Sequence, residues 1–184
     1  MREEEQVAPK RILILGMTEN QGGLESYIYN IYTHLDLTKV QFDFIKVKDG
    51  KLAYEDEYIK MGSRIFRIPL KSEGIKLHKK ALDDLYRNNH YEAIYYQCNH
   101  KLVSLDFFKY AKKYGVKKRI AHSHNTHEPH HSVIHEIREK LVERQFDSYV
   151  NYCFACSNDA GAWMFGSRKY KVIRSEERRV GKEC

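Results

Sequence analysis

The chain has 184 residues, of which 42% are hydrophobic and 31% charged, and its formal net charge is +7. This length suits one domain with a full core and is too short for two ordinary domains. No stretch approaches the roughly 18 consecutive apolar residues of a membrane-spanning helix, and the acidic residues at 3–5 are unlike the basic start of a signal peptide, so we expect a cytoplasmic protein. The positive charge favours anionic partners: nucleic acid, sugar nucleotides or acidic lipid headgroups.

Strand and helix patterns alternate along the chain. Residues 11–15 are apolar after the first, as in a strand covered on both faces, whereas residues 41–47 alternate apolar and polar side chains, as in a strand nearer a sheet edge. The predicted strands are 11–15, 41–47, 64–68, 92–97, 119–123 and 152–156, and the predicted helices are 24–35, 54–61, 75–89, 102–114, 133–146 and 159–165. Such alternation predicts a doubly wound, Rossmann-like α/β domain with a parallel sheet, whose ligands bind beyond the carboxyl ends of the strands.

A pair of glycines separates the first strand from the first helix. Gly22 and Gly23 lack Cβ atoms, so the backbone can approach a ligand closely, and the free N–H groups of the next helical turn would face a phosphate or carboxylate. Glu25 lies in that first turn, either beside the anion site or simply complementing the helix dipole. A plain tight turn is the competing interpretation. The sequence has neither the GxGxxG of dinucleotide-binding folds nor the lysine-bearing phosphate loop.

Six of the ten histidines lie between residues 122 and 135, where a predicted strand runs into a loop. We expect the rings of His122 and His124 to splay to opposite faces of the sheet, so that only His124 faces the crevice. An imidazole there could bind a substrate hydroxyl or stabilise developing charge, because its ordinary pKa is near neutrality. The alternatives are simple surface histidines, or a metal site drawn from His122, His124, His127, Glu128, His130 and His131.

Two further features have less specific interpretations. Cys153 and Cys156 form a CxxC, but in an apolar run without a second pair, which favours reduced thiols over a metal or redox site. A basic cluster at residues 112–119 is expected either to be a solvated helix end or to be attracted to an anionic membrane. The basic residues do not interleave with aromatic ones along one stripe, so we do not expect nucleic-acid binding.

Five ordered segments carry a family resemblance: RILILG, NQGGLESYIYNIYTHLD, QFDFI, RIAHSHNT and ACSNDAGAWMFG. Together they resemble the N-terminal domain of GT-B glycosyltransferases of the GT4 type, especially those of bacterial capsule and exopolysaccharide biosynthesis. The resemblance extends over residues 10–173. It implies that residues 1–173 form the acceptor-binding half of a retaining enzyme that moves a sugar from a nucleotide diphosphate sugar to a glycan or lipid-linked acceptor, with no metal or other cofactor.

The resemblance also implies roles for individual residues. Gly22 and Gly23 would lie beside the donor diphosphate, with Glu25 close by, and His124 would contact the transferred sugar. The remaining residues expected to line the acceptor cleft, at the ends of the fourth and fifth strands, are Gln97, Asn99, His100 and Asn125.

The end of the chain departs from the family pattern. A family member would continue after residue 173 with an asparagine-glycine turn and a second Rossmann-like domain that holds the nucleotide sugar. Here residues 174–184 show no apolar periodicity, and we expect them to be a disordered tail foreign to the family. The predicted protein is therefore a truncated glycosyltransferase half, inactive alone. The alternative is a non-catalytic α/β module that binds an anion or metal through residues 122–135.

Overall fold

Seven strands and six helices alternate along the described residues. The computed structural model describes residues 8–47, 49–127 and 132–173. The strands are β1 Lys10–Leu15, β2 Val40–Val47, β3 Ile65–Ile68, β4 Ala93–Cys98, β5 Lys118–Ser123, β6 Tyr152–Ala155 and β7 Lys171–Val172. The helices are α1 Gly23–Thr33, α2 Glu55–Lys60, α3 Ile75–Arg87, α4 Leu105–Lys113, α5 Val133–Tyr149 and α6 Asn158–Phe165.

The strands form one parallel sheet in the order β3-β2-β1-β4-β5-β6-β7. The chain first builds outward from β1 to β3 and then crosses back, so the direction of winding reverses between β1 and β4. This arrangement confirms the predicted doubly wound, Rossmann-like α/β fold. In such folds the crevice beyond the carboxyl ends of the strands at the reversal is the usual ligand site.

Two apolar clusters lie on opposite faces of the sheet. One joins α1 and α2 to the sheet through fully buried residues such as Ile28, Tyr58 and Phe44. The other joins α3 to α6 to the opposite face, through residues such as Leu82 and Phe108. The sheet is therefore covered by helices on both sides, as the apolar run of β1 predicted.

The strand β2 lies nearer the edge of the sheet than β1, as its alternating pattern predicted, but it is not the edge strand, because it pairs with both β1 and β3. The carboxylate of Asp43 is fully buried, and hydrogen bonds from Arg11, Arg64 and Tyr91 compensate for its loss of water. Its partners come from β1, from the residue just before β3 and from the approach to β4. An alternating pattern therefore marks a buried ion network here rather than a solvated face.

Candidate functional site

A crevice opens at the carboxyl ends of β1, β4 and β5, where the winding of the sheet reverses. Its volume is about 310 Å³. The helix after β1, the loops after β4, β5 and β6, and the segment after β7 all contribute to its walls. The lining residues are Gly23, Leu24, Tyr27, Asn99, His122, His124, Cys156 and Ile173.

Gly16, for which the sequence alone predicts no role, lets β1 end beside β4. Gly16 has φ +94°, and a Cβ on it would lie 2.1 Å from the backbone oxygen of Gln97. Any side chain there would collide with the neighbouring strand and strain the backbone. The glycine therefore fixes the direction in which the following loop, residues 17–22, leaves the sheet.

The side chain of Glu25 anchors this loop through hydrogen bonds to Thr18. It is buried, and one carboxylate oxygen accepts hydrogen bonds from the backbone N–H of Thr18 at 2.9 Å and from its hydroxyl at 2.7 Å. A Cβ on Gly22 would lie 2.9 Å from the other carboxylate oxygen, so Gly22 makes room for Glu25. The structure thus places Glu25 behind the crevice wall, while Gly23 lies on that wall with open space where its Cβ would be.

The two histidines at the end of β5 lie side by side, so the expected splay was wrong. Their ring centroids are 4.1 Å apart, and both rings line the crevice. The physical reason is that residues two apart on a strand project from the same face. The ring of Tyr27 on α1 packs edge-on against His122, at a centroid distance of 5.9 Å, and closes the other side of the pair.

Hydrogen bonds from β4 orient the two imidazoles. His124 Nε2 lies 2.7 Å from Gln97 Oε1, and because an amide oxygen only accepts, the imidazole donates its Nε2–H. The Nδ1 of His124 is then a hydrogen-bond acceptor. His122 Nδ1 pairs with the hydroxyl of Tyr95 at 2.5 Å, and within the described part of the chain its Nε2 is buried without a partner.

Burial keeps both imidazoles neutral. It lowers the pKa of His122 from 6.5 to about 3, with a smaller contribution from neighbouring His124. It lowers the pKa of His124 to about 4, although the carboxylate of Glu25 acts in the opposite direction. At neutral pH the crevice therefore offers uncharged imidazoles that exchange hydrogen bonds with a ligand rather than a positive charge.

The other predicted site residues are distributed around this pair. Asn99 lies on the wall, and its backbone oxygen accepts a hydrogen bond from the side chain of Asn125 at 2.9 Å. Gln97 is buried behind His124 instead of lining the crevice, and His100 is exposed on the loop after β4. Tyr27 and Tyr95 were not predicted, because on the sequence they look like ordinary apolar-face residues.

The alternative interpretation as a metal site is not supported by a cluster of ligands in the part of the chain that the structure describes. Among residues 8–47, 49–127 and 132–173, no three His, Cys, Asp or Glu side chains are grouped so that they could hold a metal ion. The candidate ligands Glu128, His130 and His131 lie outside the described residues. Cys153 is a free thiol on β6, and burial raises its pKa to about 11, which opposes thiolate chemistry.

The basic cluster at residues 112–119 lies at the other end of the sheet from the crevice. Several of its cations already have partners: Lys112 binds the backbone oxygen of Ser148, Lys113 binds Asp83 and Lys118 binds Glu92. Arg119 donates to the backbone oxygens of Tyr149 and Val116. These contacts fit the interpretation of the cluster as a helix end and strand start held by local pairing. No helix among the described residues is long and apolar enough to cross a membrane.

The fold and the crevice define a Rossmann-like domain of the kind found in GT-B glycosyltransferases. The chain matches the structure named "lipopolysaccharide outer core galactosyltransferase WaaB apo form" with a TM-score of 0.57 and 15% identity, over 90% of this chain and 45% of that one. In sequence it is 29% identical over 161 residues to "Putative glycosyltransferase EpsF" of Bacillus subtilis (strain 168).

The sequence alignment covers 85% of this chain and 41% of the Bacillus subtilis protein. The structural match covers 45% of the galactosyltransferase, so this chain spans less than half the length of each relative. No family model matches the sequence. Both comparisons are with proteins named as glycosyltransferases, and the structural likeness establishes the fold.

Proposed function

We propose that this chain is the acceptor-side half of a retaining, GT4-type glycosyltransferase, which moves a sugar from a nucleotide diphosphate sugar to a glycan or lipid-linked acceptor. The observation that carries the proposal is that one crevice brings the start of α1 and His124 together. The start of α1 offers backbone N–H groups to a diphosphate, and His124 offers a neutral imidazole to a sugar hydroxyl.

Each part has a defined task in the proposed reaction. The N–H groups at the start of α1 would stabilise the charge that develops on the leaving diphosphate, in place of a metal ion. His124 Nδ1 would accept a hydrogen bond from a hydroxyl of the transferred sugar, and Gln97 would hold the imidazole in the tautomer that leaves this atom free. Asn99 and Asn125 would contribute to the acceptor side of the cleft.

The proposal extends to the setting of the protein. It describes a cytoplasmic enzyme of capsule or exopolysaccharide synthesis that makes peripheral contact with an anionic membrane. A second domain would supply the remaining contacts to the nucleotide, so this half alone would bind substrates weakly and would not turn them over. The support comes from the fold, the crevice and the relatives, which are twice as long or more.

The test is calorimetric titration of the 184-residue chain with UDP, GDP and UDP-sugars. We expect weak binding of a nucleotide and tighter binding of the matching nucleotide sugar. The change His124→Ala should remove most of the difference between the two, about threefold to tenfold for one hydrogen bond, and leave the bare nucleotide unaffected. The exposed His34→Ala is the matched control.

Two results would contradict the proposal. One is a chain that binds no nucleotide but binds zinc tightly when the titration is repeated with zinc, which would favour the metal-binding module. The other is an undiminished preference for the nucleotide sugar in the His124→Ala variant, which would remove His124 from the site.

A further inference from the structure

A second concave surface lies between α3, α4 and α5. This groove has a volume of about 640 Å³, compared with about 310 Å³ for the crevice that contains His124. Its walls come from the three helices, from β2 and β4 near their carboxyl ends, and from the loops after β3 and β4. Most of the wall side chains are apolar, among them Leu70, Leu102 and Phe107. A groove of this size with apolar walls and a few polar groups is typical of a small-molecule site.

The groove and the crevice are separate cavities on two sides of one loop. Residues 99–104 connect β4 to α4. Asn99 lies on the crevice wall, whereas Leu102, Val103 and Ser104 line the groove. The two cavities have no lining residue in common. A ligand in the groove would therefore lie outside the proposed sugar-transfer site.

A buried imidazole on the groove wall lacks one hydrogen-bond partner. His78 on α3 is only 3% exposed, and its Nδ1 lies 2.7 Å from the backbone oxygen of Pro69. Because a carbonyl oxygen only accepts, Nδ1 carries the hydrogen, and in the neutral ring Nε2 is then an acceptor. Within the described part of the chain this Nε2 has no hydrogen-bond partner, since Asp106 Oδ2 is 3.9 Å away. A ligand hydroxyl that donates to Nε2 would remove this unfavourable state.

The charge of the groove favours an anion. Arg138 on α5 lines the groove, is exposed and has no ion-pair partner among the residues that the structure describes. Lys71 also lines the groove, but its ammonium lies 2.6 Å from Asp106, which neutralises it. None of the described residues on the lining is acidic. One guanidinium is therefore left to bind a carboxylate through two parallel hydrogen bonds.

We infer that the groove is a second binding site, which takes a small aromatic hydroxy acid. The hydroxyl of the ligand donates to His78 Nε2, and its carboxylate pairs with Arg138. The ring of Phe107 meets His78 at 5.9 Å and Tyr96 at 6.2 Å between centroids, edge-on in both cases, so an aromatic ligand extends an existing cluster of rings. A plain hydrocarbon chain fits less well, because it leaves Nε2 without a donor.

The inference goes beyond sugar transfer, and its test does not depend on it. The 184-residue chain is titrated calorimetrically with a linear hydroxybiphenylcarboxylate, in which the hydroxyl and the carboxylate stand at opposite ends. Two matched probes each lack one group: biphenylcarboxylate has no hydroxyl, and hydroxybiphenylcarboxamide has no charge. We expect the first compound to bind most tightly. Loss of the hydroxyl should weaken the affinity about threefold to tenfold, and loss of the charge about tenfold or more.

Two substitutions connect each group of the probe to its residue. His78→Asn keeps an N–H donor near the position of Nδ1 and removes Nε2, so it should abolish the preference for the hydroxyl. Arg138→Gln should weaken both carboxylates about tenfold and leave the carboxamide unchanged. Arg144→Gln, at an exposed residue on α5 that does not line the groove, is the matched control. Because Arg138 is exposed, its variant tests the site even where His78→Asn fails to fold.

Four results would overturn the inference. The first is no binding of any probe up to its solubility limit, and the second is equal affinity for the carboxylates with and without the hydroxyl. The third is an equal loss for Arg138→Gln and Arg144→Gln, which would indicate a general effect of charge. The fourth is loss of probe binding in the His124→Ala variant, which would place the probe in the crevice. Nucleotide titration of the same chain tests the proposed function separately.

Discussion

His122 and His124 are packed so tightly that neither imidazole can carry a proton near neutral pH. The rings lie against each other, and Tyr27 and Tyr95 pack on both sides of His122. A protonated ring in this position would lose its hydration, which depresses the pKa of both groups, and repulsion from His124 lowers the pKa of His122 a little further. This packing keeps the imidazoles neutral, which suits a ligand hydroxyl in the crevice. It also makes the free energy of unfolding fall at acidic pH.

This sensitivity gives a prediction for stability against pH. Between the ordinary pKa of 6.5 and folded values of about 4 and about 3, the unfolded chain binds protons that the folded chain does not. The free energy of unfolding should therefore fall as the pH is lowered through this window, by about 1.4 kcal/mol per pH unit for each histidine. Above the ordinary value these two residues contribute no pH dependence.

Urea denaturation at about pH 7 and about pH 5.5 measures this dependence. The change His122→Asn should remove roughly half of the loss attributed to the pair. The exposed His34→Asn, which changes the number of histidines equally, serves as the control. A His122→Asn variant with the pH dependence of the wild type would show that His122 is protonated in the folded chain.

At the scale of elements, one carboxylate fastens the first four strands together. Asp43 on β2 binds the guanidinium of Arg11 on β1 at 2.6 Å and that of Arg64, just before β3, at 2.5 Å. The hydroxyl of Tyr91, just before β4, donates to the same carboxylate at 3.1 Å. The hydrogen bond to Asp43 raises the pKa of Arg64 above its usual value.

Removing the negative charge of Asp43 should destabilise the folded protein. We expect Asp43→Asn to lower the free energy of unfolding by about 3–5 kcal/mol, because two partly buried guanidinium groups lose their common counter-ion. Urea denaturation measures the loss. Asp36→Asn, which breaks the exposed pair with Lys39, should leave the unfolding midpoint almost unchanged. An Asp43→Asn variant as stable as wild type would mean that the network fixes register without adding stability.

The first six strands and the six helices could be predicted from the sequence because each has an apolar pattern, whereas β7, which is two residues long, was not predicted. The crevice could be predicted in outline, since the carboxyl ends of parallel strands meet at one edge, and His124 and Asn99 lie there. The burial of Asp43 could not be predicted, because its partners are up to 48 residues away. Neither could the position of Gln97 behind His124, which depends on the register of β4 against β5.

For the whole molecule, the sheet separates two apolar cores that share no side chains. The core under α1 and α2 contains Ile28, and the core under α3 to α6 contains Leu82, both fully buried. Since β1, β2 and β4 contribute residues to both cores, the loss of either core would leave one face of the central strands exposed. We therefore expect the described domain to unfold as one cooperative unit.

Two substitutions on opposite sides of the sheet test this expectation. Ile28→Val should cost about 0.5–1.5 kcal/mol and Leu82→Ala about 2–5 kcal/mol, and the double variant should show their sum to within about 0.5 kcal/mol, because the sites have no common neighbours. Phe44→Leu with Tyr58→Leu, whose rings stack at 4.2 Å, is the control pair and should deviate from additivity. Circular dichroism and tyrosine fluorescence should report the same urea midpoint for every variant. Separate midpoints in the Leu82→Ala variant would mean that the α1–α2 side survives alone, and the sheet would then hold two folding units instead of one.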